Sequence, residues 1–241
     1  MKTLVVAPHP DDELLGCGGT LLRRIAEGGT VGWLLMTAIT EEGGWSRERI
    51  EQRAREIEKV RKGLGIAAQH LYRLDFPTAQ LDQQPMDKLV SRVSDVFNDF
   101  EPEEVLLPHP GDAHSDHRVT FEAASACTKW FRYPSVRRVL TYETLSETDA
   151  GPDPVRVFHP TVFVDISDYL ERKIELMRVY ESEMGEFPFP RSERALWALA
   201  EVCGARAGFD AAEEFMLLRE RLIDRSIEQG SFKFIDKKCM D

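Results

Sequence analysis

The sequence contains no apolar run approaching the ~20 residues that a membrane-crossing helix requires. Its longest runs, Thr3 to Ala7 and Val31 to Met36, have the length of strands. A helical membrane span is therefore not expected. Cysteine is sparse: Cys17, Cys127, Cys203 and Cys239 are scattered without a Cys-x-x-Cys pair, so neither a disulfide framework nor a thiolate zinc site is indicated. Positive charge is also short, with 31 Lys and Arg against 42 Asp and Glu and a formal net charge of -11. Such a balance repels phosphate backbones and anionic lipid, which argues against nucleic acid or a membrane surface as the partner. The N-terminus lacks the long apolar region and small-residue cleavage site of a signal peptide, and a cytoplasmic location is the expectation. There is no Gly-x-Ser-x-Gly elbow and no phosphate loop. Gly16-Cys17-Gly18-Gly19 begins like a dinucleotide fingerprint, but Leu21 stands where the third glycine belongs. Close packing of a helix on a sheet accounts for these glycines better.

The remaining composition is that of a globular protein, with 42% hydrophobic and 30% charged residues in 241. A single domain over residues 1–241 is expected, with an α/β core over 1–150 and a C-terminal elaboration over 151–241 packed on it. Leu4 to Ala7, Val31 to Met36, Leu71 to Phe76, Val105 to Pro108 and Val136 to Tyr142 read as five strands. Between them, Glu13 to Glu27, Ser46 to Leu64, Pro85 to Phe100 and Arg118 to Phe131 read as helices. This alternation predicts an α/β fold: a mostly parallel open sheet with helices on both faces. After residue 150 the rhythm breaks. Thr161 to Ile166 suits one more strand, while Tyr169 to Glu183 and Glu193 to Ala207 suit helices joined by the proline-held loop Phe187 to Arg191.

Two stretches concentrate the groups that metals and general bases need. His9-Pro10-Asp11-Asp12-Glu13 follows the first strand, and His114-Ser115-Asp116-His117 lies in the loop after the fourth. In an open sheet of order 3-2-1-4-5 the first and fourth strands are neighbours at the switch point, and ligands bind beyond the carboxyl ends of strands there. The two loops are thus expected to meet. Imidazole and carboxylate donors without thiolate suit Zn²⁺, with Fe²⁺ or another divalent ion as the alternative, and a catalytic site keeps three protein ligands and one open position. His9, Asp12 and His117 make that set. Neighbouring side chains diverge, so Asp11 is left facing the water as general base. His114 is free to donate to a developing oxyanion or a leaving group, and Asp116 to brace one imidazole. The competing reading of Asp11 and Asp12 is plain helix capping.

Pro8-His9-Pro10-Asp11-Asp12-Glu13 and His114-Ser115-Asp116-His117 resemble the two signatures of the LmbE/PIG-L-like zinc-dependent N-deacetylases. Arg53-x-x-Glu56 and Tyr180-Glu-Ser-Glu183 look like further, less specific landmarks. The resemblance implies a Rossmann-like fold and hydrolytic removal of the N-acetyl group from an amino sugar, commonly an N-acetylglucosamine moiety, as the small-molecule substrate. It assigns His9, Asp12 and His117 to zinc, Asp11 to the base and His114 to the oxyanion. Pro8 departs from the family's alanine, and the loop around Pro77-Thr78-Ala79 lacks its common acidic residue.

Three residues are candidate substrate contacts. Arg53 is one on the family pattern, against a solvated helix face; Tyr142 is another, at the carboxyl end of the fifth strand, against strand-end packing. Arg191 is the third, as a clamp for a substrate anion, against a surface cation beside a capping Ser192. Two other functions compete with the deacetylase: a non-catalytic sugar or sugar-nucleotide binding protein on the same fold, and a hydrolase of a different N-acyl amide. The tail Phe232-Lys233-Phe234-Ile235 suits burial against a second copy, which leaves a homo-oligomer open, or folding back on its own domain.

Overall fold

The computed structural model describes residues 1–151 and 153–222; the tail at Phe232 to Ile235 lies outside them. Five parallel strands, β1 (Lys2–Ala7), β2 (Thr30–Ala38), β3 (Leu71–Pro77), β4 (Glu104–Pro108) and β5 (Arg138–Tyr142), form the body of one sheet. Two more, β6 (Val162–Asp165) and β7 (Ala212–Glu220), extend it, and the order is β3-β2-β1-β4-β5-β7-β6. The expected order of the first five strands is the observed one, with its switch point between β1 and β4.

Alternation along β1 divides the core. Val5 and Ala7 face one side with α1 (Asp12–Ala26), α2 (Arg47–Leu64), α5 (Leu170–Met177) and α6 (Glu193–Ala207), whose Leu14, Ile57, Ile174 and Leu196 pack there. Leu4 and Val6 face the other, under α3 (Met86–Phe100) and α4 (Ser115–Ala126), with Leu89, Phe97 and Ala123. Helix ends follow local chemistry. The Ser46 hydroxyl accepts from Arg49 N at 3.2 Å to start α2, and Gly65 at φ 84° stops it. Ser192 caps α6 in the same way, accepting from Ala195 N. No helix among the described residues is long and apolar enough to cross a membrane.

The C-terminal part differs most from expectation. The helix expected over Tyr169 to Glu183 ends at Met177 and is followed by a 3-10 turn at Glu181–Glu183. The helix expected over Arg118 to Phe131 starts earlier, at Ser115, because His114 caps it, and ends at Ala126. β7 has no counterpart in the sequence pattern. It runs antiparallel between β5 and β6, and its Glu213 and Glu214 are charged residues at buried positions.

Glu213 explains itself through α1. That helix breaks at Cys17 (φ -150°), which frees backbone groups that must find other partners. The Glu213 carboxylate accepts from Gly19 N at 2.9 Å and Thr20 N at 2.7 Å. Lys173 donates to Leu15 O at 2.9 Å and to Glu213 at 2.7 Å. The glycines beside the break serve close approach: a Cβ on Gly16 would lie 2.2 Å from the Tyr142 ring, and one on Gly19 would lie 2.8 Å from Ile166.

Candidate metal centre

The turn from β1 into α1 carries the first cluster. Pro8 O accepts from Thr37 N and Thr37 Oγ1, which pins the end of the strand. Asp11 then adopts φ 139°, ψ -30°, a backbone region that costs a non-glycine residue about 1–3 kcal/mol. The fully buried Glu13 holds it there: its Oε2 accepts from Asp11 N at 3.0 Å, and its Oε1 accepts from Tyr180 OH at 3.1 Å. Burial pushes the Glu13 carboxyl well above its ordinary value. Asp11 O in turn receives Leu14 N and Leu15 N, opening α1.

The second cluster sits on the β4–α4 turn, and the topology brings it against the first. His9 Nδ1 and His117 Nε2 stand 3.4 and 3.3 Å from the same oxygen, Asp12 Oδ2. One nitrogen or oxygen from each of His9, Asp12 and His117 lies within 4.8 Å of the others. The remaining nitrogen of each imidazole is taken by a carboxylate: His9 Nε2 is 3.0 Å from Asp116 Oδ2, and His117 Nδ1 is 2.8 Å from Asp112 Oδ2. Asp116 also accepts from Ala79 N and Leu81 N, and Asp112 accepts from Thr148 Oγ1. Carboxylates in this position fix ring orientation and increase imidazole basicity, as around bound zinc. The donors fit a divalent cation of the zinc type.

The electrostatics point the same way. Burial pulls His9 down, but hydrogen bonds to Asp116 and Asp12 outweigh it and raise its pKa to about 9. Burial likewise opposes the charge of His117, yet Asp12 and Asp112 raise it to about 10. Asp12 is buried too, and the two imidazoles hold its carboxyl far below the usual range. Asp11 goes the other way: burial first and the Asp12 charge second push it up to about 7, against Arg191. Adjacent aspartates are thereby separated into a strong anion and a proton acceptor.

His114 lines the cleft with its ring 4.7 Å from His9 and 5.7 Å from His117. Its Nδ1 accepts from Asp116 N at 3.0 Å, so the proton of the neutral ring resides on Nε2. The cleft, about 250 Å³, is lined by His9, Asp11, Asp12, His114 and His117 together with Trp45, Ile50, Arg53, Arg73, Glu147, Glu183 and Arg191.

Of the candidate substrate contacts, Arg53 and Arg191 reach this cleft. Arg53 donates to Pro10 O at 3.0 Å and pairs with Glu183 and Glu56. Tyr142 does not reach it, and its expected role is corrected: it is fully buried, its ring packs over Gly16, and its hydroxyl donates to Val6 O at 2.9 Å. Strand-end packing is what occupies it. Asp112 and Glu147 were not picked out from the sequence, and Glu183 only as part of the Tyr180-to-Glu183 landmark, without a role in the cleft. Asp112 had a readable signal, a carboxylate in the same loop five residues before His117; the other two are brought in by segments distant in the chain.

The sequence profile of the GlcNAc-PI de-N-acetylase family, PIG-L, matches residues 4–128. A diacetylchitobiose deacetylase of Thermococcus kodakarensis is 30% identical over 227 residues, covering 88% of this chain and 81% of that protein. The conserved protein TT1542 of Thermus thermophilus superposes with a TM-score of 0.71 at 28% identity, over 92% of this chain and 97% of that one. The N,N'-diacetylchitobiose deacetylase of Pyrococcus horikoshii shares the fold, with a TM-score of 0.73 at 24% identity over 90% and 84% of the two chains. The match spans both histidine-bearing turns and the strands that deliver them, and on it the chain belongs to the PIG-L family.

Proposed function

We propose that the protein is a metal-dependent hydrolase that removes the N-acetyl group from an N-acetylated amino sugar or its conjugate. The observation that carries this reading is the convergence of His9 Nδ1, His117 Nε2 and Asp12 Oδ2 beside a second aspartate that is not a member of the set. His9, Asp12 and His117 hold the ion, zinc being the one this donor set suits best. When bound, the ion supplies Lewis acidity that polarises the acetyl carbonyl and acidifies water. Asp11 accepts the proton of the attacking water through Oδ1, since its Oδ2 is engaged by Arg191. His114 presents its Nε2–H to the carbonyl oxygen as negative charge grows there. The proton held by Asp11 then passes to the departing amine nitrogen, and the acetyl group leaves as acetate. Asp112 and Asp116 keep the two imidazoles aimed. The segment after residue 150 works with the first 150 residues as one domain, because Glu183 and Arg191 complete the cleft wall.

An amino-sugar substrate is supported by the activity named for the Thermococcus relative. Purified metal-loaded protein, offered N,N'-diacetylchitobiose, N-acetylglucosamine and N-acetyl amino acids, should release acetate from the first two and not from the third. Asp11→Asn should lower that release by at least about a hundredfold while retaining the metal, read by elemental analysis. Near wild-type turnover by this variant would remove Asp11 from the base role. Absence of acetate release from every sugar would refute the enzymatic reading.

A further inference from the structure

Arg191 lines the cleft as a substrate clamp would, yet its contacts face inward. Its Nη1 lies 2.9 Å from Asp11 Oδ2 and 3.6 Å from Glu183 Oε2. Glu183 is in turn paired with Arg53, which also grips Pro10 O. An ionic chain thus runs from α2 through the 3-10 turn at Glu181–Glu183 to the residue before the α6 cap, and ends on the Asp11 carboxylate. The base of Arg191 is fixed as well: Ser192 N donates to Phe189 O at 3.0 Å, and the guanidinium rests 5.8 Å from the Phe189 ring centre.

The geometry points to Arg191 as a positioning residue that aims the Asp11 carboxylate, with Glu183 holding Arg191 in place, rather than as a contact for substrate. The assignment rests on the proposed role of Asp11. Three other contacts fix this turn, Glu13 on Asp11 N, Arg53 on Pro10 O and Asp12 on His9 N, but all three hold backbone. Among the described residues Arg191 alone holds the Asp11 side chain. That side chain needs holding. Its neighbour Asp12 carries like charge, and a carboxylate released from Arg191 would be free to turn towards an ion held by His9, Asp12 and His117 and to compete with water for it. Engaging Oδ2 would keep Asp11 turned away from such an ion and leaves Oδ1 free.

The test uses the metal-loaded full chain and the variants Arg191→Met, Arg191→Ala, Asp11→Asn and the double variant of Arg191→Met with Asp11→Asn, with acetate release from N,N'-diacetylchitobiose. Positioning predicts that Arg191→Met lowers kcat by about ten- to a hundredfold, changes KM by less than about twofold and leaves one metal per chain. It also predicts that Arg191→Met costs nothing further in the Asp11→Asn background, and that guanidinium ion restores part of the loss in Arg191→Ala while equal sodium chloride does not. A raised KM at unchanged kcat, or losses that multiply in the double variant, overturn it in favour of the clamp. Crystal structures of metal-loaded wild type and Arg191→Met decide the matter independently of turnover. An Asp11 carboxylate displaced in the variant upholds the inference even if no sugar proves to be a substrate; one that stays in place overturns it.

Discussion

At Asp11 the chain accepts an unfavourable φ in order to present two adjacent carboxylates to different tasks. Asp12 turns towards the imidazoles, and Asp11 turns towards Arg191 and the open cleft. The same economy of single contacts governs His114. Because one ring nitrogen is occupied by Asp116 N, the other has a fixed character as a donor. His114→Ala should therefore lower kcat by about a hundred- to a thousandfold, the range for loss of one oxyanion donor. KM and metal content should stay nearly unchanged, as steady-state kinetics and elemental analysis will show. Asp112 makes the contrasting case. It orients His117 without facing the cleft, so Asp112→Asn should weaken metal affinity by about ten- to a hundredfold. Competition with a chromophoric chelator will measure that change.

Among the elements, those that announce themselves by periodicity were legible in the sequence. The five parallel strands and α1 to α3 fall close to where apolar period and capping residues put them, and the meeting of the two histidine-bearing turns follows from strand order alone. What was hidden depends on partners far along the chain. β7 reads as a charged, irregular stretch because Glu213 and Glu214 occupy positions that pattern reserves for apolar residues. Each is satisfied only in the folded state, Glu213 by Lys173 and the broken α1, and Glu214 by Arg206. Tyr142 was misread for the mirror-image reason: a polar tip at a strand end looks available until Val6 O is seen to take it. Arg191 was legible as a cation near the cleft, but nothing local reveals that its partner lies 180 residues earlier. The pairing of Glu213 with Lys173 is open to direct measurement. Lys173→Met strands a buried carboxylate and should cost about 3–5 kcal/mol, read as a lowered denaturant midpoint with an unchanged m-value.

On the scale of the molecule, the parallel body and the antiparallel extension meet at a junction of buried charge. Glu143, just past β5, has its pKa raised to about 7, by burial first and by the neighbouring Glu214 carboxylate second; Lys173 and Arg206 pull it back. Its ordinary value is 4.5, so the folded state binds this proton more tightly than the unfolded one. The stability from this group is complete below about pH 4.5 and is lost as the pH climbs through about 7. Glu143→Gln should remove that decline, raising Tm at pH 8 relative to wild type with little change at pH 5, as scanning calorimetry at both values will report.

The broken first helix has a temporal consequence. The carboxylate that caps its free amides is translated 194 residues after Gly19. A nascent chain will have exposed the whole His9–Asp12 turn long before the strand that secures the adjoining helix leaves the ribosome. The cap on the broken α1 is therefore a late acquisition, made only once β7 is available to it.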